Sequence, residues 1–371
     1  MSTRLEVGGR VTAMLLLVAM SGGTRGDAES TGEYARALEP RPFVFPRDHG
    51  PHPDFRNEWW YLTGNLQADD GRRFGYQWVI FRIGLEPGSD GRTSDWATRQ
   101  AFMAHFAVTD VDEGRFHFYE RLARGAAGLA GAWTNPLEVW LEDWSLRRDD
   151  TGVWRLRAAQ DSTSIALELT ATKPVVLNGD HGLSQKSAAA GNASYYYSIS
   201  RLDSRGILRV ADRDYRVSGT SWLDREWSTS ALADDQEGWD WFALQLDDGA
   251  DLMFYRLRRK DGSIDPHSQG TWIDAAGESS PLGHSDVELT VLDTWQSPRG
   301  LRYPSRWRLS VPARQLTLDI EPMLVDQELD VSVRYWEGAV KIHGTRGERE
   351  IKGRGYVELV GYDAAAPRAL H

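Results

Sequence analysis

The sequence has no long window in which apolar residues recur at a helical period. Short apolar-rich runs alternate with turn residues along nearly the whole chain instead. That pattern specifies strands. Residues 58–66 and 74–83 flank Asp69-Asp70-Gly71-Arg72 and read as a hairpin closed by an Asp-Gly turn. Residues 239–246 and 251–257 repeat the arrangement around Asp247-Asp248-Gly249. Residues 137–146 and 153–158 are split by Asp149-Asp150-Thr151-Gly152, and 164–172 alternate cleanly with a period of two. Further strands are expected over 101–110, 115–121, 194–200, 207–210, 215–218, 270–273, 287–294, 306–311, 316–322, 331–343 and 355–362. Residues 123–133, rich in Ala and Gly, read as a short helix or a loose connection, and 178–192 as a polar turn region. The fold class is therefore all-β, a sandwich or barrel. At 371 residues, two barrels of about 150 residues each fit the length. Within 74–83, Tyr76, Trp78, Ile80 and Arg82 share one face and Gln77, Val79, Phe81 and Ile83 the other. Both faces are largely apolar, so both are expected to be covered.

Composition narrows the function. A net charge of −11 argues against a nucleic-acid partner, which needs a basic face. The absence of cysteine excludes disulfides, thiolate catalysis and lipid attachment at an N-terminal Cys. Sixteen Trp, 13 Tyr and 11 Phe supply aromatic surface for sheet cores or for an apolar ligand. No H-E-x-x-H, Gly-rich phosphate loop or G-x-S-x-G is present, so neither a metal nor another cofactor is expected. At the N-terminus, Arg4 and Arg10 precede VTAMLLLVAM and then Ser21, Gly22 and Gly23. This reads as a signal peptide over 1–23, followed by a flexible leader over 24–41. The apolar run is about half of what a bilayer span needs, so no stable membrane insertion is expected once it is removed. The location implied is periplasmic or secreted.

Three stretches combine charge with aromatics: FPRDHGPHPDFRNEWWYLTGNL (45–66), GTSWLDREWS (219–228) and YWEGAVKIHG (335–344). On a strand, Asp224 and Glu226 point to one face, Arg225 and Trp227 to the other. Two carboxyls beside aromatics favour a raised pKa in one of them, through desolvation and like charge. A neutral carboxylic acid in an apolar pocket can protonate an alkene, and aromatic faces stabilise the resulting carbocation. The competing reading is a buried network in which these acids pair with Arg56, Arg82 or Arg225. Glu58 is either a third acid or, with Arg56, a lock at the strand entry. His49 and His52 are candidate bases or pocket-rim groups. The candidate ligand-lining set is His49, His52, Trp59, Trp60, Tyr61, Trp78, Trp222, Trp227, Trp239, Trp241 and Tyr255, with roughly half of the tryptophans expected as ordinary core. Residues 60–66 faintly echo 335–340, too briefly to establish a repeat.

The three stretches, with GRGYVELVGY (353–362), resemble the signatures of the AttH-type proteins grouped with carotenoid 1,2-hydratases. The resemblance spans 42–362. It implies two tandem lipocalin-like antiparallel β-barrels packed together, with a pocket between or within them, and places the domains at 42–228 and 229–365. Some relatives hydrate acyclic carotenoids without a cofactor, some fungal relatives catalyse cycloadditions, and some bacterial members are encoded beside ABC-transporter components. In the hydratases a His-x-Trp pair in the second motif and a Tyr-x-Asp pair on a later strand carry the acid chemistry. Here Arg225 stands at the His position and Trp227 matches the Trp. Tyr255 matches the Tyr, and Leu257 stands at the acid position. Three expectations follow: binding of a hydrophobic, isoprenoid- or lipid-like ligand; a cofactor-free hydratase, hydrolase or cyclase using Asp224, Glu226 or Glu58; and an accessory role beside ABC-transporter components. The first and second motifs are expected to touch.

Overall fold

Alternation decides which way each side chain in this chain faces, and with it which surfaces must be covered. The structure is a computed structural model describing residues 33–88, 94, 97–229 and 232–363. The signal-peptide reading (1–23) and the first part of the leader lie outside the described residues. The rest of that expected leader, from Glu33 on, packs onto the fold. Ala37 is fully buried, the Ala35 N–H donates to the Asp54 carbonyl at 2.8 Å, and the Tyr195 hydroxyl donates to the Glu39 carbonyl at 2.8 Å.

Two antiparallel sheets follow. The first contains β1 (Asn57–Ala68), β2 (Arg73–Gly84), β3 (Gln100–Asp110), β4 (Arg115–Arg124), β5 (Ala130–Thr134), β6 (Leu137–Leu141), β7 (Trp144–Arg148), β8 (Trp154–Gln160), β9 (Thr163–Ala171), β10 (Val176–Leu177), β11 (Leu183–Gln185), β12 (Ala193–Val210) and β13 (Arg213–Ser228). The second contains β14 (Gln236–Leu246), β15 (Asp251–Arg259), β16 (Gln269–Ile273), β17 (Ser279–Gly283), β18 (Glu288–Gln296), β19 (Arg302–Val311), β20 (Leu316–Pro322), β21 (Glu328–Leu329), β22 (Tyr335–Arg346) and β23 (Arg349–Val360). The expected all-β class and the tandem lipocalin-like barrels are what the chain forms. The Ala- and Gly-rich stretch 123–133 is strand and turn, not helix. The runs at 194–200, 207–210 and 215–218 belong to two long strands, β12 and β13, interrupted only by a register shift between Ile199 and Leu202.

Each sheet is organised by the same pairing rule. The first strand of the sheet pairs with its last: β1 with β13, β14 with β23. Each first strand also forms a hairpin with the next, through Asp70-Gly71 and Asp248-Gly249. Gly71 and Gly249 sit at φ +90 and +88, where a side chain would be strained. The internal correspondence is thus between Leu66-Gln67-Ala68-Asp69-Asp70-Gly71 and Leu244-Gln245-Leu246-Asp247-Asp248-Gly249. The echo between 60–66 and 335–340 has no topological counterpart, because 335–340 lie on β22.

The inward faces fill the barrels. Trp60, Trp78, Trp144, Trp154 and Trp227 pack in the first, Phe242, Trp272, Trp307 and Trp336 in the second. The outward faces of the central strands pack on each other through Tyr61, Val79, Tyr196, Trp241, Tyr255 and Tyr356. Charge reinforces this third layer. Lys173, in the connection after β9, and Arg201 of β12 grip Asp251 of the second sheet at 2.8 and 2.7 Å. The sheets approach closely at Gly75, where a Cβ would lie 2.6 Å from that of Ala339 and 2.8 Å from the Tyr356 hydroxyl.

Gly75→Ala should therefore destabilise the protein by about 1–3 kcal/mol, the usual range for overpacking. Ala339→Gly in the same chain should recover part of that loss. Urea unfolding of the two single variants and the double variant measures it; an unchanged midpoint for Gly75→Ala would show that the sheets have slack at this point.

Candidate active site

The two sheets are wedged apart from the Gly75 contact. At the narrow end the Asn65 amide donates to the Gly355 carbonyl at 3.1 Å and the Thr109 hydroxyl to Gln327 Oε1 at 2.6 Å. Four residues along β1 from Asn65 stands Tyr61, and there the space between the sheets opens. The result is a cavity of about 170 Å³ between the barrels. The barrel interiors, filled by tryptophan, are not where a ligand would sit. Trp59, Phe81 and Trp239, each half-buried, stand at the rim. Tyr61 and Trp241, from the first strands of the two sheets, meet edge to face at 5.3 Å.

Four carboxyls reach this cavity. Asp224 and Glu226 come from β13. Glu337 and Glu358 come from β22 and β23, where they are direct cross-strand partners. Asp224 accepts from Tyr196 and Ser198, each at 2.5 Å, and from the Trp222 indole at 2.7 Å. The Trp241 indole in turn donates to the Tyr196 hydroxyl at 3.1 Å, tying the second sheet to this acid. Burial pushes Asp224 up to about 7 against the pull of those donors, and Glu226 adds to the rise. Glu226 is different: Lys186 lies 3.1 Å from it, and Ser194 donates to it. The Lys186 ammonium also sits 4.0 Å over the Tyr255 ring.

Glu337 accepts from the Tyr61 hydroxyl at 2.5 Å, and its second oxygen has no hydrogen-bond partner among the described residues. Burial drives this carboxyl well above the ordinary range, and repulsion from Glu358 adds to it. Glu358 is likewise raised, first by burial and then by Asp224 and Glu226, while the Trp239 indole opposes the shift. Unlike Glu337 it is partly exposed to the cavity. Among the described residues no cation pairs with Asp224, Glu337 or Glu358. A buried carboxyl pair without a cation holds at most one charge, so the site keeps at least one proton at neutral pH.

The other face of β1 and β13 has the opposite character. Glu58 is fully buried and bonded to Arg82, with Arg225 at 3.0 Å and the His52 N–H at 3.0 Å. Arg82 and Arg225 hold its carboxyl well below the usual range despite burial. Arg225 also donates to the Trp59 and Gly50 carbonyls at 2.6 Å each and lies 3.9 Å over Trp60. The His52 ring stacks on Trp227 at 3.6 Å, and His49 contacts the Tyr197 hydroxyl at 2.6 Å, with burial holding its pKa down at about 3. Residues 45–56 thus close the end of the first barrel.

The structure sorts the sequence candidates accordingly. Asp224, Glu226, Trp59, Tyr61, Trp239, Trp241 and Tyr255 line the cavity. Glu58, His49, His52, Trp60, Trp78 and Trp227 face the barrel interior or its plug and do not reach it. Trp222 stands one layer behind, on Asp224. The lock at the strand entry is made by Arg82 and Arg225, whereas Arg56 is exposed. Trp227 and Tyr255, matched to the hydratase pairs, lie on opposite sides of the first sheet. The first and second motifs do touch: β1 and β13 pair from Asn57↔Ser228 to Ala68↔Val217. Sequence reasoning missed Glu337, Glu358, Lys186 and His105. The two glutamates sit inside quoted motifs, and alternation puts Glu337 on the face of Tyr335. His105 contacts the Tyr335 hydroxyl at 2.7 Å and Glu120 at 3.1 Å. Among the described residues no three acidic or histidine side chains cluster with metal-ligating geometry.

Two tandem lipocalin-like barrels define a fold class, and likeness in sequence and structure places the chain in a family within it. It belongs to the AttH-like family, whose sequence profile matches residues 36–362. The AttH-type protein of Nitrosomonas europaea is 36% identical, with a TM-score of 0.80 over 89% of this chain and 100% of that one. Kievitone hydratase of Nectria haematococca shares the fold at 17% identity, with a TM-score of 0.66 over 90% of this chain and 96% of that one. No curated protein matches the sequence.

The two kinds of buried glutamate predict opposite pH dependences. Glu58 has a depressed pKa, so its stabilisation is present above the ordinary glutamate range and fades as pH falls through it. Glu58→Gln should cost about 3–5 kcal/mol near neutrality, because two buried arginines lose their partner, and the deficit should shrink on acidification. Glu337 has a raised pKa, so the folded state holds a proton that the unfolded state releases, and stability falls as pH rises. Glu337→Gln should therefore gain on the wild type between about pH 5 and 8. Denaturant titrations across that range measure both; parallel curves for Glu337→Gln and wild type would show that Glu337 is ionised.

Proposed function

We propose that this protein is a cofactor-free acid catalyst that adds water across a double bond of an apolar, isoprenoid-like ligand held between its barrels. The observation behind this reading is the Glu337–Glu358 pair: two adjacent carboxyls in an aromatic cavity, neither ion-paired with a cation among the described residues. Glu358, the partly exposed member, is the proton donor. Its O–H adds to one alkene carbon, and the positive charge develops on the more substituted one. The faces of Trp59, Trp239 and Trp241 lie where they can stabilise that charge. Water then bonds to the cation and returns a proton to the Glu358 carboxylate, so the acid is regenerated and no cofactor is consumed. The Glu358 carboxylate left by the proton transfer supplies the negative charge that pairs with the cationic intermediate. A cavity of about 170 Å³ holds one end of a long isoprenoid and leaves the remainder to pass between the rim tryptophans. The likeness to a hydratase at 17% identity supports the fold, not the substrate. The carotenoid hydratases would lend their reaction here without their donor, since position 257 is Leu.

Incubation with acyclic isoprenoids such as geraniol and squalene in ¹⁸O-labelled water tests the reading. The expected product is a tertiary alcohol carrying the label, detected by mass spectrometry. Glu358→Gln should lower the rate by about 100-fold or more, the usual contribution of a general acid. The rate should fall as pH rises past the raised pKa, because the protonated acid is the active form. No labelled product, or an undiminished Glu358→Gln variant, would remove this function.

A further inference from the structure

We infer that the inter-barrel cavity is a receptor for an apolar organic cation, a trialkylammonium head on a hydrocarbon tail. The inference goes beyond catalysis, because it holds whether or not the cavity turns any substrate over. Three features of the cavity carry it. First, its wall is built of electron-rich faces from both sheets, Trp59 and Tyr61 on β1 and Trp239 and Trp241 on β14. Aromatic walls of this kind recognise quaternary ammonium groups. Second, its acids outnumber its cations. Lys186 is the lysine on the wall, and Glu226 lies 3.1 Å away and answers its charge. Asp224, Glu337 and Glu358 are left without a counter-charge among the described residues. Third, Glu337 is 1% exposed, lines the cavity, and has a carboxyl oxygen with no hydrogen-bond partner among the described residues. An orphaned acceptor in such a place is costly unless something positive or protic meets it. An anionic ligand would oppose ionisation of these acids, a neutral one would leave them protonated, and a cation favours their ionised form.

The groups facing these acids come from every element around the cavity. Tyr61, Tyr196 and Tyr335 present hydroxyls. His105 lies behind Tyr335, and Lys186 with Tyr255 faces Glu226. None of these places a free positive charge on Glu337 or Glu358. A bound ammonium supplies it, and one carboxyl O–H then gives its proton to solvent. Binding of the cation is therefore coupled to proton release. Affinity rises with pH until the acids are already ionised in the free protein. The half-buried rim lets the tail leave the cavity between the sheets while the head stays inside.

Titration calorimetry with hexyltrimethylammonium, 1-octanol and hexanesulfonate, in two buffers of different ionisation heat near pH 6.5, tests this on the whole protein. The expected result is that the ammonium binds at least ~10-fold more tightly than the alcohol or the sulfonate, with fractional proton release. The double variant Glu337→Gln, Glu358→Gln should lose that preference and the proton release while still binding 1-octanol, which also shows that its cavity has folded. Equal binding of the alcohol and the ammonium, or ammonium binding without proton release, overturns the inference. A labelled hydration product without cation preference leaves the catalytic reading standing and this one fallen. Cation preference without turnover does the reverse.

Discussion

The antiparallel pairing of β1 with β13 is the constraint on which the rest depends. It runs from Asn57↔Ser228 to Ala68↔Val217 and joins the first strand of the first sheet to its last, at the middle of the strand order. Because side chains alternate along both strands, one ladder serves two environments. The inward face gathers Glu58, Trp60, Arg225 and Trp227 into a tightly paired plug. The outward face presents Trp59, Tyr61, Asp224 and Glu226 to the second barrel. A one-residue slip of β13 would exchange its two faces, placing Arg225 in the cavity and removing one of the plug's two arginines. Register and site chemistry are thus the same variable.

The second barrel repeats the device. β14 pairs with β23 as β1 pairs with β13, and Trp241 faces Glu358 across that ladder as Tyr61 faces Asp224 across the first. Packing the two outward faces together brings both aromatic–acid pairs to one place. Each barrel alone would leave its acids in water with ordinary ionisation. Only the packed pair desolvates them, so the raised pKa values belong to the interface and not to either sheet. The Lys173–Arg201–Asp251 tie and the Gly75 contact hold the sheets at the spacing that makes this desolvation complete.

Much of this was legible in the sequence because period-two alternation is a local property. The hairpins, the facing of Asp224 and Glu226 away from Arg225 and Trp227, and the two covered faces of β2 all follow from it. The chain's long-range pairings do not. Nothing local distinguishes Glu58, which meets two arginines, from Glu337, which meets none, since their partners come from distant strands. The histidines of the first motif looked available for chemistry because Pro-flanked turns usually lie at the surface. Here the turn folds back into a barrel end, and His49 is buried against Tyr197 and Trp154. The Ala- and Gly-rich stretch 123–133 left a short helix and a loose connection open: residues 125–129 form the connection, and the flanking residues join β4 and β5.

The substitution pattern at the second motif acquires a physical meaning from this geometry. The resemblance assigns acid chemistry to a pair beginning at position 225. In this chain that position lies on the inward face, where Arg225 is committed to Glu58 and to two backbone carbonyls. Removing the arginine would leave a buried carboxylate short of a cation, at a cost larger than most single changes can absorb. Acid chemistry on that face is therefore closed off by the needs of the plug. The outward face bears no such duty, and there the second barrel can contribute Glu337 and Glu358 without disturbing the fold of the first. In the proposed reaction the proton donor comes from one barrel and part of its electrostatic setting from the other. Any activity of this protein is consequently a property of the pair, and whatever loosens the contact between the sheets should lower the acidity-matched pKa values before it disturbs either barrel.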